Sequence, residues 1–282
     1  MYQKLKKWAS TLTIILLLPY IVTIFMNGPQ QVPSSDMEQT GIGILAKEMP
    51  AEYEIEALKA QAILIRTRLY KEMQQSKNQT ALEEEAWTDQ QMEEAWGTAA
   101  YVENKRKLNM AWKETEGQVV TYENDLALTP FFRVSNGSTR DGKEALGEEY
   151  PYLKIVDCPL DVESVEQMQT VTLEMMDVEI LKTDTTGHVL NVRVGEEKVN
   201  GEEFRTAYGL ASSCFTLQEY EGKLRITTRG VGHGVGMSQN TANEMAKEGK
   251  DFQEILTYFY PGTELKEVAE VIQKEDSSFK SE

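Results

Sequence analysis

The chain has 282 residues, 46 of them Asp or Glu and 29 Lys or Arg, for a formal net charge of −17. Hydrophobic residues are 40% and charged residues 27%, the balance of a globular chain with a genuine core. Such an acidic chain argues against duplex nucleic acid as a partner, because phosphate binding needs clustered Lys and Arg. Cys158 and Cys214 are far apart and form no C-x-x-C pair, which excludes a zinc ribbon. One disulfide or two buried thiols would both fit them.

At the N-terminus Lys4, Lys6 and Lys7 precede an apolar run from Leu12 to Met26. Trp8 to Met26 approaches the roughly 20 apolar residues of a spanning helix, and the lysines keep that end in the cytoplasm. A signal peptide and an uncleaved anchor both begin this way. No small-residue cleavage site follows Met26, so the anchor is the expectation. Residues 1–27 are therefore read as a basic end and transmembrane anchor, 28–40 as a linker, 41–266 as the main domain and 267–282 as a polar tail. The protein is expected in the cell membrane, single-pass, with the domain outside the cytoplasm.

The stretch from Ile44 to Arg66 organises the domain. Lys47-Glu48-Met49-Pro50 sets an acid before a proline, and a helix follows with two apolar stripes, 55, 58, 62, 65, 69 and 57, 60, 64. Two apolar faces predict burial, and Glu48, beside that core, is the candidate catalytic acid. Residues 71–89 read as a solvated helix or loop. Met92 to Trp112 reads as a helix with Ala95, Ala99 and Val102 on one side. Gly117 breaks it, and Gln118–Tyr122 is a strand. Pro151–Val156 is a further strand candidate. Leu190, Val192 and Val194 alternate with polar residues, so one face of that strand is buried; Leu224 and Ile226 mark another.

Next comes Arg229-Gly230-Val231-Gly232-His233-Gly234-Val235-Gly236-Met237-Ser238-Gln239. It lacks the Gly-Lys-Ser/Thr ending of a phosphate loop. Alternate glycines suggest a backbone that an extended ligand approaches closely, with His233 and Gln239 offering hydrogen bonds; a satisfied histidine in a tight turn is the plainer alternative. Ser238 can cap a helix stopped by Gly249, and Asp251 to Glu254 is a capping box opening another, ended by Pro261-Gly262. Helices near both ends and an antiparallel-strand-rich middle make the class α+β.

Two blocks in this order, Lys47–Pro50 with Glu56–Ala62 and Arg66-Thr67, then Gly232–Gln239 with Tyr260–Thr263, resemble the stage II sporulation protein D family (SpoIID/LytB domain). The likeness spans roughly 41–265. It has departures: Arg68 stands where the family usually has Tyr, Val231 and Asn240 where aromatics are usual, and Ala211 where Arg is common. Some members carry metal-ligating His and Cys in the loop matching 132–138; this chain has neither there, so no metal and no cofactor is expected.

The resemblance implies a peptidoglycan lytic transglycosylase that cleaves the bond between N-acetylmuramic acid and N-acetylglucosamine in strands stripped of stem peptides, as in engulfment during sporulation. Glu48 matches the family's catalytic glutamate. Such an enzyme needs one carboxyl group rather than a pair, protonated at the outset, and an apolar setting would favour that form. The resemblance further puts Gln61, Arg66, Ser212, Ser213, His233 and Gln239 along the cleft as sugar contacts, with a structural ion-pair role the alternative for Arg66. The rival reading is a non-catalytic wall-binding protein of the same fold that recruits or stimulates an amidase. A metal hydrolase is a weaker third, since His188 and His233 with two distant cysteines supply few ligands. The expected partners are glycan strands, a cell-wall amidase, other engulfment proteins and the membrane.

Overall fold

The computed structural model describes residues 35–75, 86–148 and 150–271. The chain divides after Gln39 into two compact units. Of the first, the described part is the opening of helix α1 (Ser35–Glu48). The candidate anchor, Trp8 to Met26, lies outside the described residues. Among the described residues no helix is long and apolar enough to cross a membrane.

The second unit, from Thr40 onward, is built around α2 (Ile55–Gln75). Both predicted stripes point inward: Ala57, Leu58, Ala60, Ala62, Leu64, Ile65 and Leu69 are all buried. The main elements that cover them are α3 (Asp89–Glu114), strand β1 (Gln118–Tyr122), α6 (Gln239–Lys247) and α7 (Phe252–Phe259). Thr67 ties helix to strand, its hydroxyl accepting from Val120 N–H at 2.9 Å while donating to the Ile63 carbonyl at 2.7 Å.

Two glycines in α1 allow close approach, Gly41 of the Trp112 ring and Gly43 of the main chain at Trp87. A Cβ on Gly41 would sit 2.1 Å from the Trp112 ring, and one on Gly43 would sit 2.5 Å from the Trp87 carbonyl. A helical glycine costs about 1 kcal/mol relative to alanine; here that cost is offset by burying Trp112.

β1 lies between β2 (Asp125–Leu126) and β11 (Glu264–Glu267), both antiparallel to it, so the end of the domain closes onto its first strand. β3 (Phe131–Phe132) pairs in parallel with β10 (Met237–Ser238). That short pairing draws the glycine-rich loop to the 131–138 segment. A short helix α4 (Gly142–Leu146) and a 3-10 turn (Pro159–Glu163) follow.

The middle of the chain forms two antiparallel three-stranded sheets. One has the order β4-β9-β8 (Met168–Glu174, Lys223–Arg229, Phe215–Tyr220), the other β5-β6-β7 (Val178–Thr183, Val189–Val194, Glu197–Asn200). Helix α5 (Gly201–Ala207) brings Phe204 into their shared core with Val189, Val192, Phe215, Leu224 and Ile226. The class is α+β, as expected.

Several expectations need correction. Gly97 takes non-helical angles (φ 76°, ψ 154°) inside α3, and Ala95, Ala99 and Val102 face outward; Met92, Leu108, Ala111 and Trp112 form the buried side. Pro151–Val156 is turn and irregular chain, held by bonds such as Val156 N–H to Thr139 Oγ1 rather than by a ladder. In β6 the fully buried residues are Val189 and Val192, while Leu190 and Val194 are half-buried. The cause is a pair of register shifts beside Lys182 on β5, which break the alternation. Helical chain continues after β11, and Val271 is buried, so packed structure runs past 267. Both cysteines are free and buried.

Candidate active site

Glu48 is the last residue of α1. It therefore sits at the negative end of that helix, opposite to the helix start that would favour a carboxylate. The chain then turns through Met49 and Pro50 into α2. Met49 and Ala51 point into the core, whereas the Glu48 side chain is exposed. The expected apolar wall around Glu48 is thus absent: Leu45 and Met49 turn inward on the helix and leave the carboxyl facing a cavity. The turn is pinned from outside, Glu54 N–H donating to Asn243 Oδ1 at 2.8 Å and Phe252 N–H to Glu56 Oε2 at 3.1 Å.

That cavity is about 510 Å³, within the range of small-molecule sites. Glu48, Phe131, Phe132, Val231, His233 and Gln239 line it. Residues about 190 positions apart in sequence thus share one opening.

The His233 loop is held by backbone and by buried charge. Val134 and Val231 exchange N–H to carbonyl bonds at 3.1 and 2.7 Å, and Gly232 N–H donates to the Ala211 carbonyl at 2.8 Å. The loop's glycines are required by contacts within the protein. Gly236 (φ +79°) would put a Cβ 1.9 Å from the Pro130 carbonyl oxygen, and Gly234 (φ +81°) one 2.8 Å from the Arg140 side chain. The expectation of a bare backbone face awaiting a ligand is corrected accordingly: the space beside these glycines is occupied by the protein itself.

His233 Nδ1 accepts from Val235 N–H at 3.1 Å, and its ring leans against Phe132 with centroids 5.9 Å apart. Burial pushes the His233 pKa down to about 4; Glu202 opposes this, while Arg205 and Arg140 add to it. The imidazole is therefore neutral near pH 7, with Nδ1 an acceptor and the proton on the other nitrogen.

Two buried carboxylates organise the surroundings, and neither was anticipated. Asp161, 0% exposed, accepts from Ser135 N–H (2.7 Å), Ser238 Oγ (2.7 Å), Asn240 Nδ2 (2.9 Å) and Thr241 Oγ1 (2.8 Å). It joins the 131–138 segment to the start of α6. Asp184, also buried, binds Arg140 Nε at 2.7 Å and accepts from the His188 and Thr186 N–H groups. Arg140, 2% exposed, reaches on to Glu202 at 2.8 Å and to the His233 carbonyl at 2.9 Å. Nothing in the sequence marked Arg140 as the partner of Asp184, or Asp161 as the acceptor for Ser135 and Ser238.

Of the proposed sugar contacts, His233 and Gln239 line the cavity with Glu48. Gln61 lies fully buried behind Gln239, whose Nε2 donates to Gln61 Oε1 at 3.3 Å, and among the described residues Gln61 Nε2 has no hydrogen-bond partner. Ser212 binds the Arg229 carbonyl at 2.6 Å and Ser213 binds Glu202 at 2.6 Å, both inside the fold. Arg66, 4% exposed, donates to the carbonyls of Thr115 (2.6 Å), Trp112 (2.9 Å) and Gln118 (3.2 Å), and its guanidinium lies 4.2 Å over the Trp112 ring. It clamps the end of α3 to β1 and is not among the residues lining the cavity, so these bonds give it a structural role. Of the family departures, Arg68 and Val231 line the cavity, while Asn240 is bound to Asp161. Among the described residues no group of three His, Cys, Asp or Glu could hold a metal ion.

This α+β domain, with an acid at a helix end facing a glycine–histidine loop, matches the sequence model of the SpoIID family, described as stage II sporulation protein, over residues 26–122. The chain is 31% identical to stage II sporulation protein D of Bacillus amyloliquefaciens, covering 91% of this chain and 81% of that protein. It is 32% identical to stage II sporulation protein D of Bacillus subtilis (strain 168), covering 91% and 82%. The amidase enhancer of Bacillus subtilis (strain 168) is 23% identical over 79% of this chain and 40% of that protein. The chain belongs to the stage II sporulation protein D family and is a sporulation protein.

Proposed function

We propose that the chain is a membrane-anchored peptidoglycan lytic transglycosylase, with residues 41–266 as its catalytic domain, acting on glycan strands without stem peptides. The observation that supports this reading is the convergence of Glu48, His233 and Gln239 on one cavity. Glu48 in its acid form gives its proton to the glycosidic oxygen, and the bond from that oxygen to C1 of the muramic acid breaks. The resulting carboxylate takes the proton of the sugar's own C6 hydroxyl, whose oxygen bonds to C1 and closes a 1,6-anhydro ring. Glu48 is again protonated and no water is consumed, so one carboxyl group suffices. Solvent reaches Glu48 in the free protein; a glycan lying across the cavity would displace it and favour the uncharged acid.

The second reading, a glycan-binding protein that stimulates an amidase, is favoured by the likeness to the amidase enhancer and by the exposure of Glu48. Digestion of purified glycan strands followed by mass spectrometry separates the two. The enzyme yields anhydro-ended products that disappear in Glu48→Gln. Intact strands that still co-sediment with the protein would leave only the binding role.

A further inference from the structure

In a chain with 17 more acidic than basic groups, the cavity is basic. Among the described residues Arg68, Lys71, Arg133 and Arg205 line it, against a single carboxylate, Glu48. Three of these cations are already matched. Arg68 pairs with Glu72 at 3.3 Å, Arg133 with Glu166 at 2.8 Å and Arg205 with Glu202 at 3.2 Å. Lys71 differs: its ammonium donates to the Leu126 carbonyl at 2.5 Å, and among the described residues no carboxylate lies within ion-pair distance. An ammonium has three donors and a carbonyl uses one. The bond to Leu126 fixes the charge at the cavity wall instead of letting the long side chain extend into water.

A cation without a counter-ion in a cavity lined largely by apolar and neutral residues is suited to an anion on the ligand. Resting on the reading of this cavity as a glycan site, we propose that Lys71 binds the lactyl carboxylate of N-acetylmuramic acid and so reads whether a peptide is attached. The lactyl group ends in a carboxylate when bare, charged near pH 7. With a peptide attached it ends in an amide, which has no charge to offer. A charge-assisted bond is stronger than a neutral one, so discrimination lies in the charge as well as in the bulk of the peptide. The charge of each of the three arginines is already partly offset by its carboxylate, which leaves Lys71 the stronger attraction for a ligand anion.

The test measures equilibrium binding of glycan oligosaccharides to the full chain carrying Glu48→Gln, which prevents turnover. One set has free lactyl carboxylates, and the other has the same carboxylates converted to methylamides, which removes the charge with almost no added bulk. The expected result is about tenfold tighter binding of the free carboxylate, weakening as salt is raised. Lys71→Met is expected to bind both sets equally, near the methylamide value, and Lys71→Arg to retain the preference. Equal binding of the two sets, or a preference that survives Lys71→Met, overturns the inference while leaving the anhydro-product assay untouched. Binding of neither set overturns both this inference and the glycan reading.

Discussion

The backbone carbonyl of His233 accepts a 2.9 Å hydrogen bond from Arg140 Nη1, and Arg140 N–H donates to the next carbonyl, Gly234, at 2.7 Å. One buried arginine thus grips the histidine loop by both its side chain and its main chain. Its guanidinium also faces Asp184 and Glu202. Arg140→Met is expected to destabilise the domain by about 3–5 kcal/mol, because Asp184 would remain buried without its cation. Arg140→Lys should recover only part, since an ammonium lacks the fork that reaches all three acceptors. Urea unfolding checks this; a loss under about 1 kcal/mol for Arg140→Met would mean the clamp contributes little.

Both histidines of the chain are depressed to about 4, each chiefly by burial. For His188 the Arg140 charge adds to burial, while Asp184 and Glu202 oppose it. An unfolded imidazole titrates near 6.5. Between about 4 and 6.5 the unfolded chain therefore binds more protons than the native one, and stability rises with pH. This contribution is fully present above about 6.5 and is lost as pH falls toward 4. Asp184 acts lower still: burial raises its carboxyl, but the Arg140 hydrogen bond and charge bring it below its usual value. Urea unfolding at pH 7 and pH 5 is expected to differ by roughly 2–4 kcal/mol, with a smaller difference in His188→Gln. A flat profile over that interval would contradict the assignment.

Arg66→Ala is expected to lower stability by about 2–4 kcal/mol, because three carbonyls lose a charged donor and Trp112 loses its stacked partner. The affinity of the folded protein for glycan strands should stay within about twofold, since Arg66 is not on the cavity wall. A loss of affinity at unchanged stability would return Arg66 to the cleft.

What could be read in the sequence was what repeats or what caps. The two stripes of α2 are a local period. The Asp251–Glu254 capping box forms as predicted, Asp251 Oδ1 accepting from Glu254 N–H at 2.8 Å. The two blocks carrying Glu48 and His233 do meet at one cavity. What could not be read was long-range pairing. Arg140 finds Asp184 across 44 residues and Asp161 finds Thr241 across 80; no spacing rule links such partners. The buried face of α3 was not legible for a related reason: which side of a helix another element arrives to cover is itself a long-range fact. The resemblance put Arg66 in the cleft; its bonds to main-chain carbonyls leave no trace in side-chain pattern.

The notch at Gly41 bears on where the acid ends up. Trp112 seats in that notch, Arg66 lies across Trp112, and Glu48 stands seven residues along the same helix, about 10 Å away. With no ion pair of its own among the described residues, the carboxyl is aimed by a rod whose far mooring is an indole. A bulkier residue at 41 would tilt the rod and swing its tip, so the reactive group can be misaligned by a change that never touches the opening.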